Sequence, residues 1–222
     1  MLNRYIRYFP VINILKSDKP RSILEVGSGE LGLSEFYGGS FTGCDLIKRR
    51  NIRRCFSRMK FVNADIRSLP FRAREFDLVI CLDVLEHLEN KDLGNALEEL
   101  MRVTKKKLIV GAPMGRVSFI TDRLIYLTFK ILKRDVPIWL NEHKGKLLRK
   151  KEVLKTLKEK NCSCKTISNE SVFLHYWTIL LDYTFNTDFL VEFIRKNSNF
   201  KYMYPFLNYI PYRRIIIVEK ND

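Results

Sequence analysis

The sequence predicts an α/β fold, an open sheet with helices on both faces, and three observations carry that prediction. Short apolar runs of strand length alternate with amphipathic stretches of helical period. The first run, Ser22-Ile-Leu-Glu-Val, ends in Gly27-Ser-Gly-Glu-Leu-Gly32, the spacing of a strand that turns sharply into a helix. The next three runs each stop at an acid: Asp45, Asp65 and Asp83. In an open parallel sheet the carboxyl ends of the strands line the ligand crevice, so acids placed there face whatever is bound.

The elements follow in order. Met1 to Leu15 carries Arg4 and Arg7 ahead of Phe9-Pro-Val-Ile-Asn-Ile-Leu15. It lacks a small-residue cleavage site and runs almost directly into the first strand, so residues 1–20 are expected to be an N-terminal helical segment and not a signal peptide. Gly27 allows the tight turn, Gly29 removes a Cβ from the ligand side, and Gly32 lets the expected helix pack closely on its strand. Phe41 to Asp45, Phe61 to Asp65 and Phe76 to Asp83 read as the next strands, the last followed at once by Val84-Leu-Glu-His87. Asn90 is placed to cap a helix reaching about Val103, with Leu93, Leu97 and Leu100 on one face, and Leu108 to Gly111 is a fifth strand. Arg149 to Lys160 reads as a helix, and Lys165 to Val172 and Arg214 to Glu219 as the last strands.

With these motifs in sequence, the chain resembles the class I S-adenosylmethionine-dependent methyltransferases, in particular the group with a V-L-E-H element after the fourth strand. The resemblance covers Arg21 to Pro113 motif by motif and, more loosely, Asn141 to Glu170 and Tyr212 to Glu219, leaving two segments unmatched. It implies a Rossmann-like sheet of seven strands, the final one antiparallel, and S-adenosyl-L-methionine as cofactor. It also implies that Glu25, Gly27, Ser28 and Gly29 form the loop under the methionine part. Asp45, with Leu46 beside it, would bind the ribose, Asp65 the adenine amino group, and Ile66 would pack on the ring; Asp83 would sit nearest the sulfonium. An NAD-dependent oxidoreductase shares the glycine spacing, but Glu25 suits an ammonium and a sulfonium better than a pyrophosphate, and the Asn63-Ala-Asp65 and V-L-E-H elements have no part in hydride transfer.

With 222 residues, 46% of them hydrophobic, the chain suits a single domain with one well-buried core. No apolar run reaches the roughly 20 residues a bilayer requires. Five cysteines without a framework of pairs point to a reducing, cytoplasmic setting, and Cys162-Ser-Cys164 is one residue short of the usual zinc-pair spacing, so no metal is assigned. A net charge of +15 favours polyanionic partners: anionic lipid, phosphorylated substrates or nucleic acid. Clusters lie at Lys48 to Arg58, Lys105 to Lys107 and Lys144 to Lys160.

Two insertions hold the substrate information. In residues 114–140, a helix expected from Arg116 to Arg134 places Arg116, Arg123, Lys130 and Arg134 in one stripe, with an apolar remainder too broad for one packing partner. Residues 174–212 are dense in aromatics, as expected of a lid with its own small core. Such a lid either packs on the sheet edge, roofs the methyl-transfer site, or rests peripherally on an anionic membrane. A hydroxyl acceptor requires a base, for which His87 and His143 are the leading candidates with Asp83 beside them, and His175 a third. The expected activity is methyl transfer, oxygen slightly favoured, to a small or lipid-linked acceptor that the basic field allows to be anionic. An RNA methyltransferase is the rival of the same fold, disfavoured because no appended RNA module is visible and Cys81 to His87 lacks the fourth-strand patterns of base-modifying enzymes. A cofactor-binding subunit without an acceptor site is the remaining alternative.

Overall fold

A computed structural model describes residues 1–29, 31–46, 58–142, 148–158, 162–197 and 209–220. The helix α1 (Leu2–Asp18) leads into β1 (Ile23–Val26), β2 (Phe41–Asp45), β3 (Met59–Asn63) and β4 (Phe76–Leu82). There follow α2 (Asn90–Val103), β5 (Thr104–Pro113), α3 (Arg116–Ile131), α4 (Ile138–Glu142), α5 (Lys150–Lys158), β6 (Cys162–Ser171), α6 (Val172–Thr184), α7 (Asp188–Lys196) and β7 (Pro211–Lys220). The seven strands form one sheet in the order β3-β2-β1-β4-β5-β7-β6. β1 to β5 pair in parallel, and β7 runs antiparallel between β5 and β6.

Side chains alternate along each strand, so every strand feeds two cores. Leu24, Val79, Cys81, Leu108, Val110, Ile216 and Val218 join the core shared with Leu97, Leu100, Val153 and Leu157 of α2 and α5. Ile23, Leu78, Ile80, Ile109 and Ile215 join the other, against Tyr5, Ile6, Tyr8, Phe9 and Ile12 of α1. The first turn of α1 is held by Asp182, whose carboxylate accepts from the Leu2 and Asn3 amides at 2.9 Å each, a charge well placed for the positive end of the helix dipole. A third, smaller core joins Ile125 and Phe129 of α3, Leu140 of α4 and Ile179 of α6.

Several expectations are corrected. Only one 3₁₀ turn, Gly32–Glu35, follows the glycine loop where a helix was expected, because Glu25 reaches across to bind the Leu33 amide and holds the chain in a tight loop. Asn90 is the first residue of α2 and Glu89 its cap position, with no side-chain cap. The helix α3 ends at Ile131, so Arg134 leaves the expected stripe and donates instead to the Tyr183 carbonyl at 3.1 Å. β6 and β7 each begin earlier than their apolar residues suggested, since pairing from Ser171 and Pro211 outward extends both strands. His143, Cys55, the cluster from Lys48 to Arg54 and the aromatics from Phe200 to Phe206 lie outside the described residues. No described helix is long and apolar enough to cross a membrane.

Candidate active site

At the carboxyl end of β1 the backbone does the shaping. Gly27, at φ 78°, donates to the Cys44 carbonyl at 2.8 Å, as does Ser28 at 3.1 Å, clipping the turn onto β2. A Cβ at Gly27 would collide with Val84 Cγ2, whereas one at Gly29 (φ 54°) would meet nothing within 4 Å among the described residues. The first glycine is demanded by packing and by φ. The second leaves open space in front of the backbone. Gly29 N donates to Asp45 Oδ2 at 2.9 Å, so the glycine loop and the acid of β2 form one concave rim. Asn63 Nδ2 fixes that rim by donating to the carbonyls of Asp45 and Leu46 at 3.1 and 2.8 Å. Leu46 itself is 62% exposed there.

The other expected cofactor residues are differently placed. Ser28 turns inward and its buried Oγ has no hydrogen-bond partner among the described residues. Ile66 is sunk in the core, and Asp65 is bound by Arg67 through Nε and Nη2, bonds that hold its carboxyl below the usual range. Glu25 is buried under the loop. Its carboxyl accepts from the Tyr8 hydroxyl at 2.6 Å and from Leu33 N at 2.8 Å. Burial pushes its pKa up to about 7 against the lowering effect of those bonds. Glu25 therefore acts as a strut between α1, β1 and the 3₁₀ turn.

Past β4 the site is made of side chains. Asp83 occupies the left-handed region at φ 53°, its amide donating to the Gly111 carbonyl at 2.8 Å. Arg213 of β7 grips it in a bidentate pair, Nε to Oδ1 at 2.7 Å and Nη2 to Oδ2 at 2.8 Å, and Arg7 Nε stands 3.0 Å from Oδ2. The remaining arm of Arg213, Nη1, donates to Glu170 Oε2 at 2.5 Å. Glu170 also has positive φ, 64°, and is fully buried. One buried guanidinium thus ties together two carboxylates on strained backbone. Arg213 and His175 overcome the effect of burial and keep the Glu170 pKa low, while the two carboxylates hold Arg213 protonated. Glu86 of the V-L-E-H element is buried with no side-chain partner for either carboxyl oxygen among the described residues, and burial with Asp83 nearby raises its pKa well above the carboxylate range.

A cavity of about 200 Å³ opens beside this network, and Arg7, Asp83, His87, Trp139, His175 and Tyr212 are among its walls. The structure thus brings Asp83 and His87 to one space, as their shared loop suggests, and adds His175 from α6. Arg7, Glu170 and Arg213 were missed by sequence reasoning. A signal existed for Arg213: it shares strand parity with Ile215 and Ile217, so it had to point into a core face. For Arg7 the clue was weaker, its spacing of four from Asn3 on one side of α1.

The rim supports the fit of a nucleoside ligand: an acid for paired hydroxyls at Asp45, an exposed apolar side chain at Leu46 and open backbone at Gly29. Residues 24–110 match a family model described as a methyltransferase domain. An uncharacterised protein of Methanocaldococcus jannaschii is 32% identical over 95 residues, 42% of this chain; the match spans 38% of that relative's length. Among solved structures, magnesium protoporphyrin IX methyltransferase from Synechocystis PCC 6803 with bound SAH superposes with a TM-score of 0.59 at 15% identity, covering 99% of this chain and 84% of that one. A SAM-dependent methyltransferase from Archaeoglobus fulgidus gives 0.57 at 20% identity, covering 96% and 91%. The methyltransferase domain of bacterial CtHen1-C gives 0.61 at 14% identity over the whole of both chains. At such identities the superpositions speak for the fold, and the family model speaks for the domain. Residues 24–110 are therefore matched as a methyltransferase domain, set in a seven-stranded sheet with the fold of the class I S-adenosylmethionine-dependent methyltransferases.

Proposed function

We propose that this methyltransferase acts on an oxygen of a small or lipid-linked acceptor that it meets at an anionic membrane surface. One observation carries the reading: α6 has two faces of opposite use. His175 and Ile179 wall the cavity, while Phe173 and Trp177 stand 68% and 59% exposed on the same helix. Beside it, α3 buries Ser118, Thr121, Ile125 and Phe129 and leaves Ile120, Leu124, Leu127 and Ile131 in solvent. Arg116, Arg123 and Lys130 line the edge of that exposed row, and an apolar row flanked by cations is the pattern of a helix lying in a lipid interface. Inside the cavity the guanidiniums of Arg7 and Arg213 are matched by the carboxylates of Asp83 and Glu170, so attraction for an anionic acceptor belongs to the outer surface.

When bound, S-adenosylmethionine supplies a methyl group on a sulfonium. The chain's own tasks are to seat it at Gly27, Gly29 and Asp45, to align an acceptor in the cavity, and to exclude water with Trp139, Ile179 and Tyr212. Vesicle sedimentation tests the surface. Wild type should pellet with anionic vesicles, and the double variant Arg123→Glu, Lys130→Glu should bind them roughly 30-fold or more weakly, from about 1 kcal/mol per cation at such a surface. Cofactor affinity should not change. A wild type that ignores both neutral and anionic vesicles while retaining RNA would overturn the membrane reading and transfer the basic surface to the RNA-modifying alternative.

A further inference from the structure

We propose that the cavity beside Asp83 is an acceptor site for a hydroxyl group, with His175 Nε2 as the base that receives its proton and Glu170 as the residue that positions the imidazole. The proposal rests on the methyl-transfer reading above and deepens it. His175 is only 2% exposed, and its Nε2 is buried without a hydrogen-bond partner among the described residues although the ring lines the cavity. A buried imidazole nitrogen left unpaired is costly unless a ligand completes it. The opposite nitrogen, Nδ1, stands 3.1 Å from Glu170 Oε2. A carboxylate can only accept, which puts the ring proton on Nδ1 and leaves a lone pair on Nε2. The Asn3 amide, also 3.1 Å from Nδ1, directs its two protons to Glu170 Oε1 at 2.6 Å and Thr178 Oγ1 at 3.1 Å.

The ring cannot turn away. Tyr212 stacks on it at 3.5 Å with planes 10° apart, and the Tyr212 hydroxyl is anchored by donating to Asp122 at 2.7 Å. Trp139 meets it edge-on at 5.9 Å. The acid in the cavity wall suits the task poorly, because Asp83 is occupied by Arg213 and Arg7. The charged and titratable groups around the ring are Glu170 from β6, Arg213 and Tyr212 from β7, Asp83 and His87 beyond β4, and Arg7 from α1. Two cations and two anions cancel there. In the transfer, the acceptor O–H bond breaks and its proton passes to the Nε2 lone pair. The oxygen pair forms the new O–CH3 bond as the C–S pair stays on sulfur, giving a methyl ether and S-adenosylhomocysteine. Positive charge moves from sulfur to imidazole, so the site's total is unchanged, and Glu170 faces the new imidazolium. Solvent then takes the proton.

The test uses the full chain labelled with 15N-histidine and saturated with S-adenosylhomocysteine. The signal lost in His175→Gln should report a protonated Nδ1 and a bare Nε2, and Glu170→Gln should abolish that preference. A protonated Nε2 overturns the proposal whatever the acceptor is. Transfer of labelled methyl to phenol and to thiophenol is the second arm, because thiophenol ionises readily near neutral pH and needs no base. His175→Gln should slow phenol methylation by about 10²-fold or more and thiophenol by less than about threefold. The acid limb of the phenol pH profile should disappear with it. Equal slowing of both probes overturns the base role and leaves His175 as a wall. Turnover of neither probe by wild type counts against a small-acceptor reading of the cavity, and the tautomer measurement then decides the dyad alone.

Discussion

The two rims of the crevice are built from different materials. On the side proposed for the cofactor, Gly27, Gly29 and Asp45 lie close together in the chain and are shaped by backbone: two residues at positive φ, two amides donating to Cys44, and one amide donating to a carboxylate. On the side proposed for the acceptor, Arg7, Asp83, Trp139, Glu170, His175 and Arg213 arrive from α1, the β4 loop, α4, β6, α6 and β7. That side is buried charge held by side chains, with the Arg213–Asp83 bond alone joining residues 130 apart. A backbone-made rim tolerates change in everything except conformation. A rim of buried charge depends on every partner being present, since removing one strands the others.

The largest effect should come from the network. Arg213→Ala leaves Asp83 and Glu170 buried without their shared cation, and urea unfolding should report a loss of about 3 to 5 kcal/mol. A loss below 1 kcal/mol would mean that the carboxylates readily find water, and the contrast between the rims would collapse.

Next comes the strut under the glycine loop. A carboxyl raised from 4.5 to about 7 favours the folded state while protonated, so this contribution is complete below about pH 4.5 and is lost as pH rises through 7. The span of 2.5 units corresponds to roughly 3 kcal/mol. Glu25→Gln keeps an acceptor for Leu33 N and Tyr8 without the charge. Its stability relative to wild type should therefore grow by about that amount between pH 4 and pH 8 in chemical denaturation, and parallel pH curves would show that Glu25 does not titrate in this window.

The smallest of the three belongs to the cofactor rim itself. Asp45→Ala should weaken S-adenosylmethionine binding by roughly 1.5 to 3 kcal/mol in calorimetry, the range for hydrogen bonds to a charged group, while leaving the fold intact. Unchanged affinity in a folded variant would remove Asp45 from the site.

The sequence by itself determined the sheet, the glycine turn and the acids at the strand ends. Strand periodicity, positive-φ glycines and an acid at a fixed offset are all local, and each is enforced by sterics within a few residues. The same holds for the buried side of α2. Tertiary structure alone decided that Glu25 would be a strut between α1 and the 3₁₀ turn, that Ile66 would sink into the core while Leu46 stayed at the surface, and that His175 would share a cavity with Asp83 and His87. A side chain's partner is chosen by packing between distant elements, and no spacing in the chain encodes it. Arg213 shows the boundary most clearly. Its strand parity placed a charge on a core face, yet only the folded sheet, bringing β7 beside β5 and against the β4 loop, supplied the two carboxylates that make such burial stable.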